Sequence, residues 1–213
     1  MLQLKLIVGS TRPGRAADVV VPWIEQRARN HGRFDVEVLD LRDWPLPVFT
    51  ETFATLGDIH DPTYSEPLVK RWNGALAAAD AYLFVTPEYN HSIPGVLKNA
   101  IDSVFASFAF RNKPAAVVAY SAGAVGGTRA AEHLADIGAE AELVSLRNNV
   151  LIPFVQDAFD GSGAPKNPQL DRVAGVMLDD LAWWAHALHA ARSAGALPPA
   201  QLRLMAASEA VTS

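Results

Sequence analysis

Cysteine is absent from this 213-residue chain. That excludes a disulfide framework, a thiolate nucleophile, a cysteine-held iron–sulfur cluster and a cysteine zinc site. Any redox chemistry must therefore be borrowed from a cofactor. An excess of positive charge is missing too: 18 Lys and Arg stand against 23 Asp and Glu, for a net charge of −5. A non-specific nucleic-acid binder needs a basic surface, so that class is disfavoured. No apolar run approaches the ~18 residues of a membrane span. Met1 to Ser10 lacks a basic segment followed by a cleavable apolar stretch, and reads as a first strand of a cytoplasmic protein. What is present is apolar: 50% of residues are hydrophobic and 19% charged. One folded domain with a sizeable core is expected.

Short apolar runs alternate with helix-length segments. Strands are expected at Leu2–Gly9, Val36–Leu41, Ala81–Thr86, Ala115–Ser121 and Glu142–Leu146. Helical spacing begins at Val19 and continues through Val20, Trp23, Ile24 and Ala28. Further helices are expected at Leu68–Ala79, Pro94–Phe108, Gly127–Ile137 (closed by Gly138) and Leu170–Arg192. The last helix is expected to align Val173, Val176, Leu181, Trp184 and Leu188 near one face. Alternating strands and helices imply an α/β fold, and five strands suit a parallel sheet of order 2-1-3-4-5. The expectation is a flavodoxin-like three-layer sandwich over 1–193, with a tail over 194–213. The proline-rich connection from Trp44 to Ser65 is long enough to be a lid or an interface segment.

Three loops carry the chemistry. Gly9-Ser10-Thr11-Arg12-Pro13-Gly14-Arg15 follows the first strand. Hydroxyls, glycines and arginines at a helix N-terminus form an anion site. Its glycine spacing matches a phosphate loop of nucleotide hydrolases, but Arg15 and Ala16 stand where Lys and Ser/Thr are needed, so that reading fails. Thr86-Pro87-Glu88-Tyr89-Asn90-His91-Ser92-Ile93-Pro94-Gly95 follows the third strand. Prolines stiffen its ends, and its main-chain donors can line the edge of a flat polar ring. Ser121-Ala122-Gly123-Ala124-Val125-Gly126-Gly127 follows the fourth strand, and its small residues let a ligand approach the backbone. In the 2-1-3-4-5 order these loops share one sheet edge at the topological switch point. One phosphate plus one flat heterocycle fits that crevice, which points to FMN. A pair at His186 and His189 has no evident third ligand, so no metal site is expected.

The three segments 9–15, 87–102 and 121–127 resemble the NADPH-dependent FMN reductase family, over roughly residues 2–190. The resemblance implies FMN held by Ser10, Thr11, Arg12 and Arg15 at its phosphate. It places Pro87, Glu88, Tyr89 and Asn90 along the isoalloxazine, with Ser121 and Gly123 on the other side of the ring system. No side chain need serve as a catalytic acid or base. Many members carry a second serine after the arginine, in a Gly-Ser-x-Arg-x-x-Ser pattern, where this chain has Arg15 and then Ala16. The implied activity is an FMN-dependent NAD(P)H oxidoreductase. It would pass hydride through bound FMN to quinones, azo compounds, free flavin or similar acceptors, with NADPH or NADH as co-substrate. The resemblance also implies a homodimer or homotetramer. Leu97, Ile101, Val104, Phe105 and Phe108 would suit its interface, or equally a core face. The competing readings are a flavodoxin-type electron carrier, disfavoured by the modest charge and the arginine-bearing loop, and a flavin-free protein on the same fold.

Overall fold

The structure is a computed structural model that describes residues 1–58 and 61–212. A parallel sheet is built from β1 (Leu2–Val8), β2 (Phe34–Asp40), β3 (Ala81–Pro87), β4 (Pro114–Tyr120), β5 (Val144–Ser145) and β6 (Val150–Ile152). Its order is β2-β1-β3-β4-β5, and β6 also pairs with β4. Every residue of β3 and β4 is buried, because helices cover both faces; this explains their unbroken apolar runs. Edge strand β2 instead alternates buried and exposed positions over its first four residues.

One core layer sets Leu4, Leu6, Val8, Leu83, Val85 and Val118 against helices α1 (Ala17–Asn30) and α5 (Gln169–Ala194). The other sets Ile7, Phe84, Val117 and Ala119 against α2 (Pro67–Ala77), α3 (Gly95–Asp102) and α4 (Thr128–Glu140). The result is the three-layer sandwich. Register aligns Val8 with Val85 and Val85 with Val118, so β1, β3 and β4 end together and their loops leave one edge.

Several expectations need correction. The fifth strand is interrupted: β5 pairs with Pro114 and Ala115, and β6 with Val118 to Tyr120. Between them the Asn149 side chain accepts the Val117 N–H at 2.8 Å, replacing the missing ladder bond. The helix expected to reach Phe108 stops at Asp102. Ser103 Oγ joins its own N–H on the Asn99 carbonyl, and a 3₁₀ turn at Phe105–Ser107 ends on left-handed Phe108 (φ 55°). Helix α4 runs through Gly138 to Glu140; the glycine serves close packing, since a Cβ there would come within 3.2 Å of Ser145 Oγ, and does not close the helix. Leu97, Ile101 and Val104 are buried in the chain's own core, so they cannot form an interface.

The buried stripe of α5 is Ala174, Met177, Leu178, Leu181 and Ala185. Val176 and Trp184 are exposed, as is Trp183. Apolar residues therefore also lie outside the buried stripe of this helix. The tail forms a further helix, α6 (Ala200–Thr212), on which Leu204 and Met205 are exposed. The long connection is fastened to α3: Phe49 N–H donates to Asn99 Oδ1 at 3.0 Å, and Asn99 Nδ2 donates to Pro47 O at 2.8 Å.

Candidate cofactor site

The loop after β1 begins at Gly9, whose N–H donates to Val85 O at 2.9 Å. A Cβ at Gly9 would meet Leu97 Cδ2 at 2.9 Å and Thr86 Oγ1 at 3.3 Å, so the close approach of α3 to this turn favours glycine. Ser10 is fully buried, with its hydroxyl 2.8 Å from Tyr89 Oη. Thr11 is half-buried beside it, and Arg12 is exposed. The Arg12 guanidinium lies 3.6 Å over the Tyr89 ring, a cation–π contact that leaves its donors in the plane available. Gly14 takes the left-handed turn (φ 63°), and α1 then starts with no side-chain cap. Among the described residues no acceptor takes the backbone N–H of Thr11, Arg12, Gly14, Arg15 or Ala16. Uncapped N–H groups at a helix N-terminus, where the positive end of the macrodipole lies, favour an anion.

Arg15 is used differently. Its side chain is 6% exposed and it binds Asp40 through both terminal nitrogens, with Nη1 to Oδ1 at 2.7 Å. Nε donates to Asp18 Oδ1 at 2.8 Å, and Nη1 also donates to the Ser10 carbonyl. The guanidinium pKa rises above its ordinary value, chiefly through the hydrogen bond to Asp40. Arg15 thus points behind the loop, toward the end of β2. It joins a network in which Arg42 donates to Asp18 at 3.2 Å and to the Arg12 carbonyl.

In the second loop Pro87 ends β3, and the Glu88 N–H donates to Tyr120 O at 2.9 Å. The Glu88 side chain is 6% exposed and turns to the first turn of α4, accepting from Arg129 N–H at 3.1 Å and Nη1 at 2.7 Å. Tyr89 and Ser92 exchange backbone hydrogen bonds of 2.9 and 3.1 Å. Asn90 (φ 50°) and His91 (φ 67°) both sit in the left-handed region, which makes a tight two-residue hairpin turn. Left-handed non-glycine residues cost roughly 1 kcal/mol each or more, and such strain gathers at functional sites.

The third loop is fastened to the segment after β6. Ser121 N–H donates to Ile152 O at 3.2 Å, Val155 N–H to Ser121 O at 3.0 Å, and Phe154 N–H to Gly123 O at 3.2 Å. Ser121 Oγ donates to Gly123 O at 3.0 Å. Gly127 (φ 86°) is required by the fold, since a Cβ would lie 2.6 Å from Tyr120 N; the Cβ position of Gly123 has no atom within 4 Å.

Structure thus brings Ser10, Arg12 and Tyr89 into direct contact. It turns Arg15 and the Glu88 carboxylate away, toward Asp40 and Arg129. Tyr120, Asp40, Arg42 and Phe154 escaped the sequence reading. Tyr120 Oη is buried without a hydrogen-bond partner among the described residues. Burial pushes its phenol pKa well up, so it stays protonated. Phe154 is exposed in the left-handed region (φ 46°) against the third loop. Asp40 and Arg42 gave one signal, a charged run at the end of an edge strand; the partners they find are decided by folding. His189, one of the two histidines considered for metal, sits 2.7 Å from Asp80.

The fit to FMN can be judged on the donors themselves. Partnerless backbone N–H groups, an arginine without a carboxylate partner and the Ser10 hydroxyl match a phosphate monoester, and the orphaned Tyr120 hydroxyl lies at the same edge.

Residues 3–157, which contain all three loops, match the NADPH-dependent FMN reductase family. The expected likeness to about residue 190 is therefore found over a shorter span, ending before α5. An NAD(P)H-dependent FMN reductase of Schizosaccharomyces pombe is 33% identical over 118 residues, 55% of this chain and 57% of that protein. This chain thus spans little more than half the length of that relative. A 2-hydroxy-1,4-benzoquinone reductase of a Burkholderia species is 31% identical over 147 residues, covering 64% of this chain and 79% of that protein. In fold, the flavoenzyme NAD(P)H:(acceptor) oxidoreductase FerB of Paracoccus denitrificans superposes with a TM-score of 0.73 at 24% identity, over 88% of this chain and 98% of FerB. With the matched region covering well over half its length, the chain belongs to the NADPH-dependent FMN reductase family.

Proposed function

We propose that this protein is an FMN-dependent NAD(P)H oxidoreductase whose acceptors are quinones or similar flat, reducible molecules, azo compounds and free flavin among them. The observation that carries the reading is the phosphate cradle: partnerless N–H groups of the β1–α1 loop, with Ser10 and Arg12 held together on Tyr89. Bound FMN would supply the redox chemistry, taking hydride from the nicotinamide and passing it to the acceptor.

The chain's own groups bind and orient. Ser10, Thr11 and Arg12 hold the phosphate end. Pro87, Tyr89 and Asn90, with the main chain of Glu88, line one edge of the ring system, and Ser121 with Gly123 lines another. The left-handed pair Asn90–His91 fixes the direction of main-chain groups along that edge. The Glu88 carboxylate, spent on Arg129, is not offered as an acid or base. The FMN-binding unit is taken as 1–193, with 194–213 as an appendage. The same reading makes the protein a homodimer or homotetramer; exposed Trp183, Trp184, Leu204 and Met205 support an association surface. No described helix is long and apolar enough to cross a membrane. The reaction is taken to be cytoplasmic, where reduced nicotinamide is supplied.

Purified protein given FMN is expected to show a bound-flavin absorption band. Anaerobic NADPH or NADH should bleach it, and menadione should restore it with turnover. A flavin-loaded protein that neither nicotinamide reduces would overturn the reading in favour of an electron carrier; failure to bind FMN would remove both.

A further inference from the structure

The β1–α1 loop makes few bonds of its own to hold the shape an anion needs. Its carbonyls are held from behind. Ser10 O accepts from Arg15, and Arg12 O accepts from Arg42. Both arginines are in turn fixed by carboxylates: Arg15 by Asp40 and Asp18, Arg42 by Asp18 at 3.2 Å. Asp40 also accepts the Arg42 N–H at 3.0 Å. Four charged side chains from the loop, the first turn of α1 and the end of β2 therefore grip two carbonyls of the loop. In a trans peptide the N–H points opposite to the carbonyl, so holding Ser10 O from behind turns the Thr11 N–H forward. Arg12 O precedes Pro13, which has no N–H, and its bond to Arg42 anchors the loop without aiming a donor.

We propose that Asp40 is a positioning residue for phosphate binding, acting through Arg15, and that this ion-pair network stands in for the second loop serine that Arg15 replaces. The inference rests on the proposed FMN site and assigns a role to residues that do not themselves touch the ligand. Arg15 has four of its five donors engaged by Asp40, Asp18 and Ser10, so its charge is neutralised in place and is not presented to an anion.

Simple electrostatics predicts the opposite sign, which makes the test decisive. Removing a negative charge near an anion site should tighten anion binding. If Asp40 positions the loop, its removal should loosen binding instead. The dissociation constants of FMN and riboflavin are measured by flavin fluorescence for wild type, Asp40→Asn, Asp18→Asn and the double variant Arg15→Ser/Asp40→Ser. Asp40→Asn is expected to weaken FMN about tenfold or more while leaving riboflavin, which lacks the phosphate, within about twofold; tenfold corresponds to ~1.4 kcal/mol. Asp18 is more exposed, so Asp18→Asn should fold and shift FMN affinity the same way by a smaller factor. The double variant restores the serine and removes the half-buried carboxylate that would otherwise lose its arginine partner. It should bind FMN within about threefold of wild type.

FMN binding that is unchanged or tighter in Asp40→Asn overturns the proposal, as does equal loss of FMN and riboflavin. Should Asp40→Asn fail to fold by circular dichroism, Asp18→Asn decides by the same criterion. Wild type that binds no FMN would overturn the proposed function itself, a different result from any of these.

Discussion

Arg12 and Arg15 are three residues apart in one loop and do different work. Arg12 stacks on Tyr89 with no carboxylate partner; Arg15 is spent on Asp40 and Asp18. Replacing Arg12 by Gln should weaken FMN about tenfold and flatten the salt dependence of binding, as titrations at two ionic strengths would show. The glycines divide likewise. Gly127 adopts φ 86° with Tyr120 N 2.6 Å from any Cβ, so Gly127→Ala combines left-handed strain with a backbone clash. About 2–4 kcal/mol of stability should be lost in urea unfolding. Ser10, Arg12 and Tyr89 were legible as site candidates because their residue types announce anion and ring contacts. Asp40 was not, because a carboxylate at a strand end reads as a solvated charge until its partner is known.

Among the elements, β3 and β4 were readable because burial on both faces leaves one uninterrupted apolar run. The fifth strand was not, because its continuity depends on a side chain. Asn149 Oδ1 fills a gap in the ladder by accepting the Val117 N–H at 2.8 Å. Asn149→Ala should leave that N–H without its partner and cost about 1–3 kcal/mol, measured by urea denaturation. Faster hydrogen exchange at Val117 would accompany it. Helix α3 is a parallel case. The apolar spacing over 97–108 is real, but the Ser103 hydroxyl, bonding back to Asn99 O at 2.7 Å, goes with an early end to the helix. The α5 face was legible in part: Leu181 is buried and Val173 packs on the core, but Val176 and Trp184 are exposed, because apolar residues on more than one side of the helix blur the periodic signal.

For the whole molecule, acid sensitivity follows from two carboxylates at opposite edges of the sheet. Burial alone would raise the pKa of Asp40. The hydrogen bond from Arg15, the Arg42 N–H and the charges of both arginines outweigh it and hold Asp40 below its ordinary 3.8. At the other edge, burial of Asp80 is outweighed by the Gln3 N–H, by His189 and by Arg192, again holding it below 3.8. Each carboxylate is thus a weaker base in the folded chain than in the unfolded one. The stabilisation is present above pH 3.8 and lost as pH falls through the folded pKa. Urea midpoints measured from pH 6 to pH 2 should drop below about pH 4 in wild type. They should drop less in Asp80→Asn, whose midpoint is already lowered at pH 6.

Taken by itself, the sequence determined the alternation of strands and helices, the two-sided burial of the central strands, the exclusion of thiol chemistry and the three ligand-type loops. These depend on residue type and local spacing, which the chain displays directly. Tertiary structure alone decided that Arg15 grips Asp40 rather than a phosphate, that Glu88 turns to Arg129, that Asn149 mends the sheet and that Leu97, Ile101 and Val104 belong to the core. Each of these depends on which distant partner competes for a donor or a face. That competition is settled only when strands 30 or more residues apart are brought side by side.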